Sequence, residues 1–194
     1  MIQPGATIGI LGGGQLGRMT GLAARSLGYD VHVLDPDPNC PASAIASRTV
    51  AARFDDADAA ASLAEQCAVV TLEIEQIGTA ALAAVAARTP LRPGAEPVHV
   101  IQDRIRQKTW LAANGFPVAA FRAVASLDES VAAFDQLGRC IFKSTSGGYD
   151  GRGEGHRLAE VARVLAGNQG VVGIRLGNIQ QHEPRRATAS ALFP

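Results

Sequence analysis

Apolar and polar positions follow two rhythms along the first half of the chain. Short apolar runs at Thr7-Ile8-Gly9-Ile10-Leu11, Val31-His32-Val33-Leu34 and Ala68-Val69-Val70-Thr71-Leu72 read as buried strands. Thr49-Val50-Ala51 reads as a shorter one. Between them lie stretches with helical spacing: about Gln15 to Leu27, closed by Gly28; Asp55 to Cys67, with three Asp near its start; and Thr79 to Arg88. Strand and helix in alternation predict an α/β fold, a Rossmann-like parallel sheet with helices on both faces. Pro90, Pro93 and Pro97 mark a transition. Beyond it the pattern predicts a helix over Val98 to Asn114, broken once, then a strand within Val118 to Val124. A capped helix over Ser126 to Leu137, a strand over Arg139 to Ser144 and a helix over Leu158 to Ala166 follow. From residue 168 neither rhythm persists, and the segment reads as a divergent tail, frameshifted or disordered. The predicted domains are therefore 1–95, 96–167 and the tail 168–194.

Composition narrows the function classes. Eighteen basic residues balance eighteen acidic ones in 194, and no basic stripe runs along the chain. That excludes a nucleic-acid binder held by phosphate contacts. No apolar run is long enough to span a membrane, and the N-terminus lacks the basic start of a signal peptide. Cys40, Cys67 and Cys140 lie far apart without metal-ligand spacing, which fits reduced thiols and a cytoplasmic location. Among the basic residues only Lys108 and Lys143 are Lys, so each surviving ammonium is a candidate for a role that Arg cannot fill. The four histidines show no mutual spacing that would hold a metal.

Two glycine-rich segments carry candidate chemistry. Gly12-x-Gly14-x-x-Gly17 follows a strand and opens a helix, and Asp35 ends the next strand. This is the dinucleotide fingerprint in its expected setting, with Asp35 as the grip on the ribose hydroxyls of NAD. A turn that only packs a helix against a strand, with Asp35 starting a Pro-rich turn, explains the same residues. The second segment is Gly147-Gly148-Tyr149-Asp150-Gly151-Arg152-Gly153, just after Lys143 at the end of an apolar strand. A strand Lys beside a Gly-rich loop suits nucleotide phosphates, with point charge from Lys and forked hydrogen bonds from Arg152. A flexible surface hairpin is the bland alternative. A nicotinamide enzyme has no need of this second segment.

Four motifs occur in order: Gly13-Gly14-Gln15-Leu16-Gly17-Arg18-Met19, Thr71-Leu72-Glu73-Ile74-Glu75, Asp103-Arg104-x-x-x-Gln107-Lys108, and Gly147 to Gly153. Together they are similar to the N5-carboxyaminoimidazole ribonucleotide synthetases, ATP-grasp ligases of purine biosynthesis, over about residues 5 to 167. The resemblance implies a pre-ATP-grasp domain followed by a truncated ATP-grasp segment. It implies ATP and Mg2+, with bicarbonate and 5-aminoimidazole ribonucleotide as the other substrates and N5-carboxyaminoimidazole ribonucleotide as product. It assigns Arg104, Lys143, Gly148, Tyr149, Asp150, Gly151, Arg152, Gly153 and Glu154 to ATP. Tyr149 and Arg152 also match residues near the aminoimidazole ribonucleotide and are the catalytic candidates. Gly14, Gln15, Leu16 and Glu73 go to the ribonucleotide side. Family members often pair as homodimers, and the resemblance extends that to this chain.

The magnesium carboxylates of such enzymes have no counterpart here, because Glu183 is the sole acidic residue after Glu160. The expectation is an incomplete, inactive fragment with no metal ligands of its own. Two rival functions stand beside it: an NAD-dependent oxidoreductase, and a non-catalytic nucleotide-binding remnant. Asp35 separates the first rival, since its replacement should abolish NAD binding there and do little under the ligase reading.

Overall fold

The computed structural model describes residues 2–138, 140–146, 154–155, 161 and 171–175. They fall into two compact units, Met1–Asn114 and Gly115–Pro194.

The first unit is built from β1 (Thr7–Leu11), α1 (Gln15–Ser26), β2 (Asp30–Asp35), a 3-10 turn (Pro41–Ala44), β3 (Arg48–Ala51), α2 (Ala57–Ala64), β4 (Val69–Leu72), α3 (Thr79–Ala86), β5 (Leu91–Arg92), α4 (Ala95–Ile101) and α5 (Arg104–Ala113). Its five strands pair in the order β3-β2-β1-β4-β5, all in parallel. Side chains alternate between the faces. Ile10, Val31 and Val33 enter a core with Ala24 of α1, while Leu11, Leu34 and Val70 enter a larger one with Leu63 of α2 and Leu82 and Val85 of α3. A sheet buried on both faces explains the near-continuous apolar strands. Gly28 ends α1 with φ of +84°. Asp56 caps α2 by accepting from the Ala59 amide at 2.9 Å.

Three departures from the pattern have physical reasons. First, α4 starts at Ala95, with Pro97 inside its first turn, where the missing N–H has no intrahelical partner to lose. Second, the helical stretch breaks where Asp103 caps α5, accepting from the Arg106 amide at 2.8 Å. Third, α4 and α5 group with the first unit, so the compact division comes after Asn114 and not at residue 95.

The second unit contains β6 (Phe121–Val124), α6 (Leu127–Leu137), β7 (Cys140–Ser144), β8 (Glu154–Gly155) and β9 (Val171–Arg175), an antiparallel sheet ordered β6-β9-β7-β8. Ser126 caps α6, accepting from the Glu129 amide. Its core joins Val124, Ala133, Leu137, Phe142 and Val171, and the Phe134 and Phe142 rings meet at 4.9 Å, tilted by 59°. Residues 168–194 were expected to carry no persistent strand. Val171–Arg175 corrects this: it is a central strand, with Val171 and Val172 wholly buried. The helix expected over Leu158 to Ala166 lies outside the described residues, except for helical, buried Val161.

Candidate functional site

The carboxyl end of the parallel sheet gathers three loops at the first glycine motif. Gly12 follows β1 with φ of +100°, and its amide donates to the Leu34 carbonyl at 2.9 Å. Gly13 donates to Asp35 Oδ2 at 2.8 Å. Gly14, which precedes α1, donates to Glu73 Oε2 at 2.9 Å. The Glu73 amide in turn donates to Leu11 O at 2.9 Å, so the residue after β4 is tied to the end of β1.

These bonds decide what the glycines are for. A Cβ on Gly14 would stand 2.5 Å from Glu73 Oε1, and one on Gly12 would stand 2.8 Å from Glu73 Oε2. A Cβ on Gly17 would stand 2.5 Å from the Gly12 carbonyl. The missing side chains thus make room for a carboxylate and for the turn itself. In a dinucleotide site those amides and the helix N-terminus would face a pyrophosphate. Here an anionic side chain already occupies that position, and the favourable charge of the helix end is spent on it.

Asp35 is engaged in a similar way. Its Oδ2 holds Gly13, and its Oδ1 accepts from the Asp37 amide at 2.8 Å, an Asx turn into the Pro-rich loop. Both carboxylate oxygens therefore serve the backbone, against the ribose-gripping role. Signals for this were in the sequence: Asp-Pro-Asp-Pro is turn chemistry before it is ribose chemistry.

The other predicted residues divide between the units. Gln15 and Leu16 are exposed on the first turn of α1. Arg104 is the first residue of α5, half-buried, with Lys108 one turn later on the same helix. In the second unit, Lys143 is half-buried on β7, and strand alternation puts it on the face opposite Phe142. Its register partners are Glu154 on β8 and Val172 on β9. Gly148, Tyr149, Asp150, Gly151, Arg152 and Gly153 lie outside the described residues, and of Glu154 only the backbone is described. The structure thus brings Gly14 and Glu73 together.

The remaining chemistry is quiet. Burial pushes the thiols of Cys40, Cys67 and Cys140 up, Cys67 to about 11, so they are neutral near pH 7. Among the described residues no group of three or more His, Cys, Asp or Glu converges on a metal position. No described helix is long and apolar enough to cross a membrane. One feature was not foreseen: an apolar cleft of about 320 Å³ between α4 and α5, lined by Val100, Ile101, Trp110 and Leu111.

Comparison with known proteins gives the family. The family described as the ribonucleotide synthetase preATP-grasp domain matches residues 5–102. The N5-carboxyaminoimidazole ribonucleotide synthase of Brucella melitensis biotype 1 is 39% identical over 168 residues, covering 86% of this chain and 46% of that protein. The N5-carboxyaminoimidazole synthetase of Staphylococcus aureus, solved with ADP, superposes with a TM-score of 0.84 at 34% identity, covering 90% of this chain and 48% of that one. The Aspergillus clavatus N5-carboxyaminoimidazole synthase, solved with ADP and 5-aminoimidazole ribonucleotide, gives 0.76 at 31% identity, covering 89% and 46%. The chain spans about half the length of the relatives it matches.

Proposed function

The chain belongs to the ribonucleotide synthetase preATP-grasp family, and from that premise we propose that it supplies the ribonucleotide-binding half of an ATP-dependent carboxylase of 5-aminoimidazole ribonucleotide. The observation that carries this reading is the Glu73 carboxylate seated over the Gly12–Gly17 turn. An acceptor-only group at that place suits the hydroxyl and amino donors of a ribonucleotide and disfavours any phosphate there, so the ribonucleotide's own phosphate must lie elsewhere while the NAD pyrophosphate would fall on this turn.

In the proposed reaction ATP phosphorylates bicarbonate to carboxyphosphate. The amine nitrogen of the ribonucleotide attacks the carboxyl carbon, the bond from carbon to the phosphate oxygen breaks, phosphate leaves, and the amine gives up a proton. Such a sequence asks the protein for positioning and charge neutralisation. Gly14, Gln15, Leu16 and Glu73 form the ribonucleotide side. Arg104 and Lys143 would contribute cations toward ATP, and by the family likeness residues 148–154 would serve its phosphates, with Tyr149 and Arg152 toward the ribonucleotide. Magnesium accompanying ATP, a homodimer and a cytoplasmic location belong to the same proposal and rest on the family likeness.

Calorimetry with the whole chain tests this. It should bind 5-aminoimidazole ribonucleotide and not NAD. Glu73→Gln should weaken the ribonucleotide by roughly tenfold or more, the scale of charge-assisted hydrogen bonds lost. Binding of NAD without binding of the ribonucleotide would overturn the reading in favour of the oxidoreductase.

A further inference from the structure

One segment holds Gly13 by both of its backbone groups. Its amide donates to Asp35 Oδ2 at 2.8 Å, and its carbonyl accepts from the Ala42 amide at 2.8 Å. The Sγ of Cys40 packs over its Cα, in the space a side chain would need. The segment is itself wound by a relay of short bonds. Asp35 Oδ1 accepts from Asp37 N, Asp37 Oδ1 accepts from Asn39 N, both at 2.8 Å, and the Asp37 carbonyl accepts from Cys40 N at 3.1 Å. Residues 35–42 therefore form a strap whose two ends both close on Gly13.

Gly13 is the residue before Gly14, and Gly14 holds the Glu73 carboxylate. Moving the Gly13 peptide would rotate the Gly14 amide away from Glu73. From this arrangement we infer that Asp35 is a positioning residue of the ribonucleotide site: it fixes the glycine turn so that Gly14 aims the Glu73 carboxylate. The inference rests on the ribonucleotide reading above. It reverses the expectation that Asp35 matters only if the ligand is NAD. Asp35 touches the turn and leaves ligand contact to Glu73.

The test pairs ribonucleotide calorimetry with amide hydrogen exchange, using the whole chain. Asp35→Ala removes both acceptor contacts, and Asp35→Asn keeps the shape but offers a donor to one of the two amides. Asp35→Ala should weaken 5-aminoimidazole ribonucleotide by about tenfold and speed exchange at Gly13 and Gly14 by about tenfold or more, with Asp35→Asn intermediate. Amides of Ile10 and Val33 in the sheet should keep their protection, which a general loss of stability would not allow. Unchanged affinity with unchanged Gly14 exchange in either variant overturns the inference, as does equal loss of protection at Ile10 and Val33 in Asp35→Asn. Where Asp35→Ala fails to fold, the isosteric Asn variant decides. If the unaltered chain does not bind the ribonucleotide, the functional reading fails. Exchange at Gly14 then decides whether Asp35 fixes the turn.

Discussion

The two sheets of this protein are completed at different points along the chain. In the first, every strand from β1 to β5 is followed or preceded by a helix that covers it, and the chain order β1 to β5 is complete by Arg92. In the second, β6 and β7 are neighbours in sequence but not in space, because β9 lies between them. The first sheet is complete within residues 7–92, although β3 and β4 lie apart in it and β4 pairs with β1; the second depends on one strand that arrives late. The first kind of sheet tolerates loss of a distant segment, while the second loses its continuity.

The sharpest way to break that contrast is Val172→Pro. Proline cannot donate from a central strand, so the ladder between β6, β9 and β7 loses a hydrogen bond there. Limited proteolysis should then open residues beyond Asn114 while β1 to β5 keep their protection. Equal opening of both units would sink the contrast. Next in size is Leu63→Ala. Leu63 is wholly buried, and its Cδ2 lies 2.7 Å from where a Cβ on Gly9 would be. Truncating so tightly packed a side chain should cost about 2–5 kcal/mol, read from urea denaturation of the first unit. A loss under about 1 kcal/mol would show that α2 relaxes onto the sheet.

The smallest effect concerns His32 on β2. Its Nδ1 is buried without a hydrogen-bond partner among the described residues. Burial lowers its pKa below 6.5; Asp30 pulls it back up and Arg48 adds to the fall. The unfolded chain therefore takes up the proton first, so stability present above pH 6.5 declines as pH falls through the folded value. Asp30 is held below 3.8 mainly by the Ser47 hydroxyl, so it stays charged across that window. Urea midpoints at pH 7.5 and 5.5 should fall less in His32→Asn than in the unaltered protein; identical slopes would remove His32 as the cause.

Legibility followed the same division. Four strands of the parallel sheet could be read because each carries its own apolar rhythm; β5, only two residues between Pro90 and Pro93, is too short to show one. Gly14 and Glu73 were found from motifs, and the structure joins them through one hydrogen bond. The role of Asp35 was not legible, since a carboxylate after a strand reads alike whether it meets a ribose or a backbone amide. Strand β9 was missed for a definite reason. Gly173 interrupts Val171-Val172 and Ile174 like a breaker, yet a Cβ there would stand 3.0 Å from the Phe142 ring. What looked like the end of regular structure is the place where the sheet accommodates an aromatic side chain. Tyr149 and Arg152, identified by likeness, lie outside the described residues.

The late strand also sets a timetable for synthesis. Ribosomes add about 5–20 residues per second, so Val171 follows Ser144 out of the tunnel by about 1–5 s. During that interval β6 and β7 have emerged with the edges that β9 will pair still open. Open edges of apolar strands are templates for other chains. A nascent chain of this protein is thus already folded at its start while its second sheet still waits, and that pause is when a chaperone would be of most use to it.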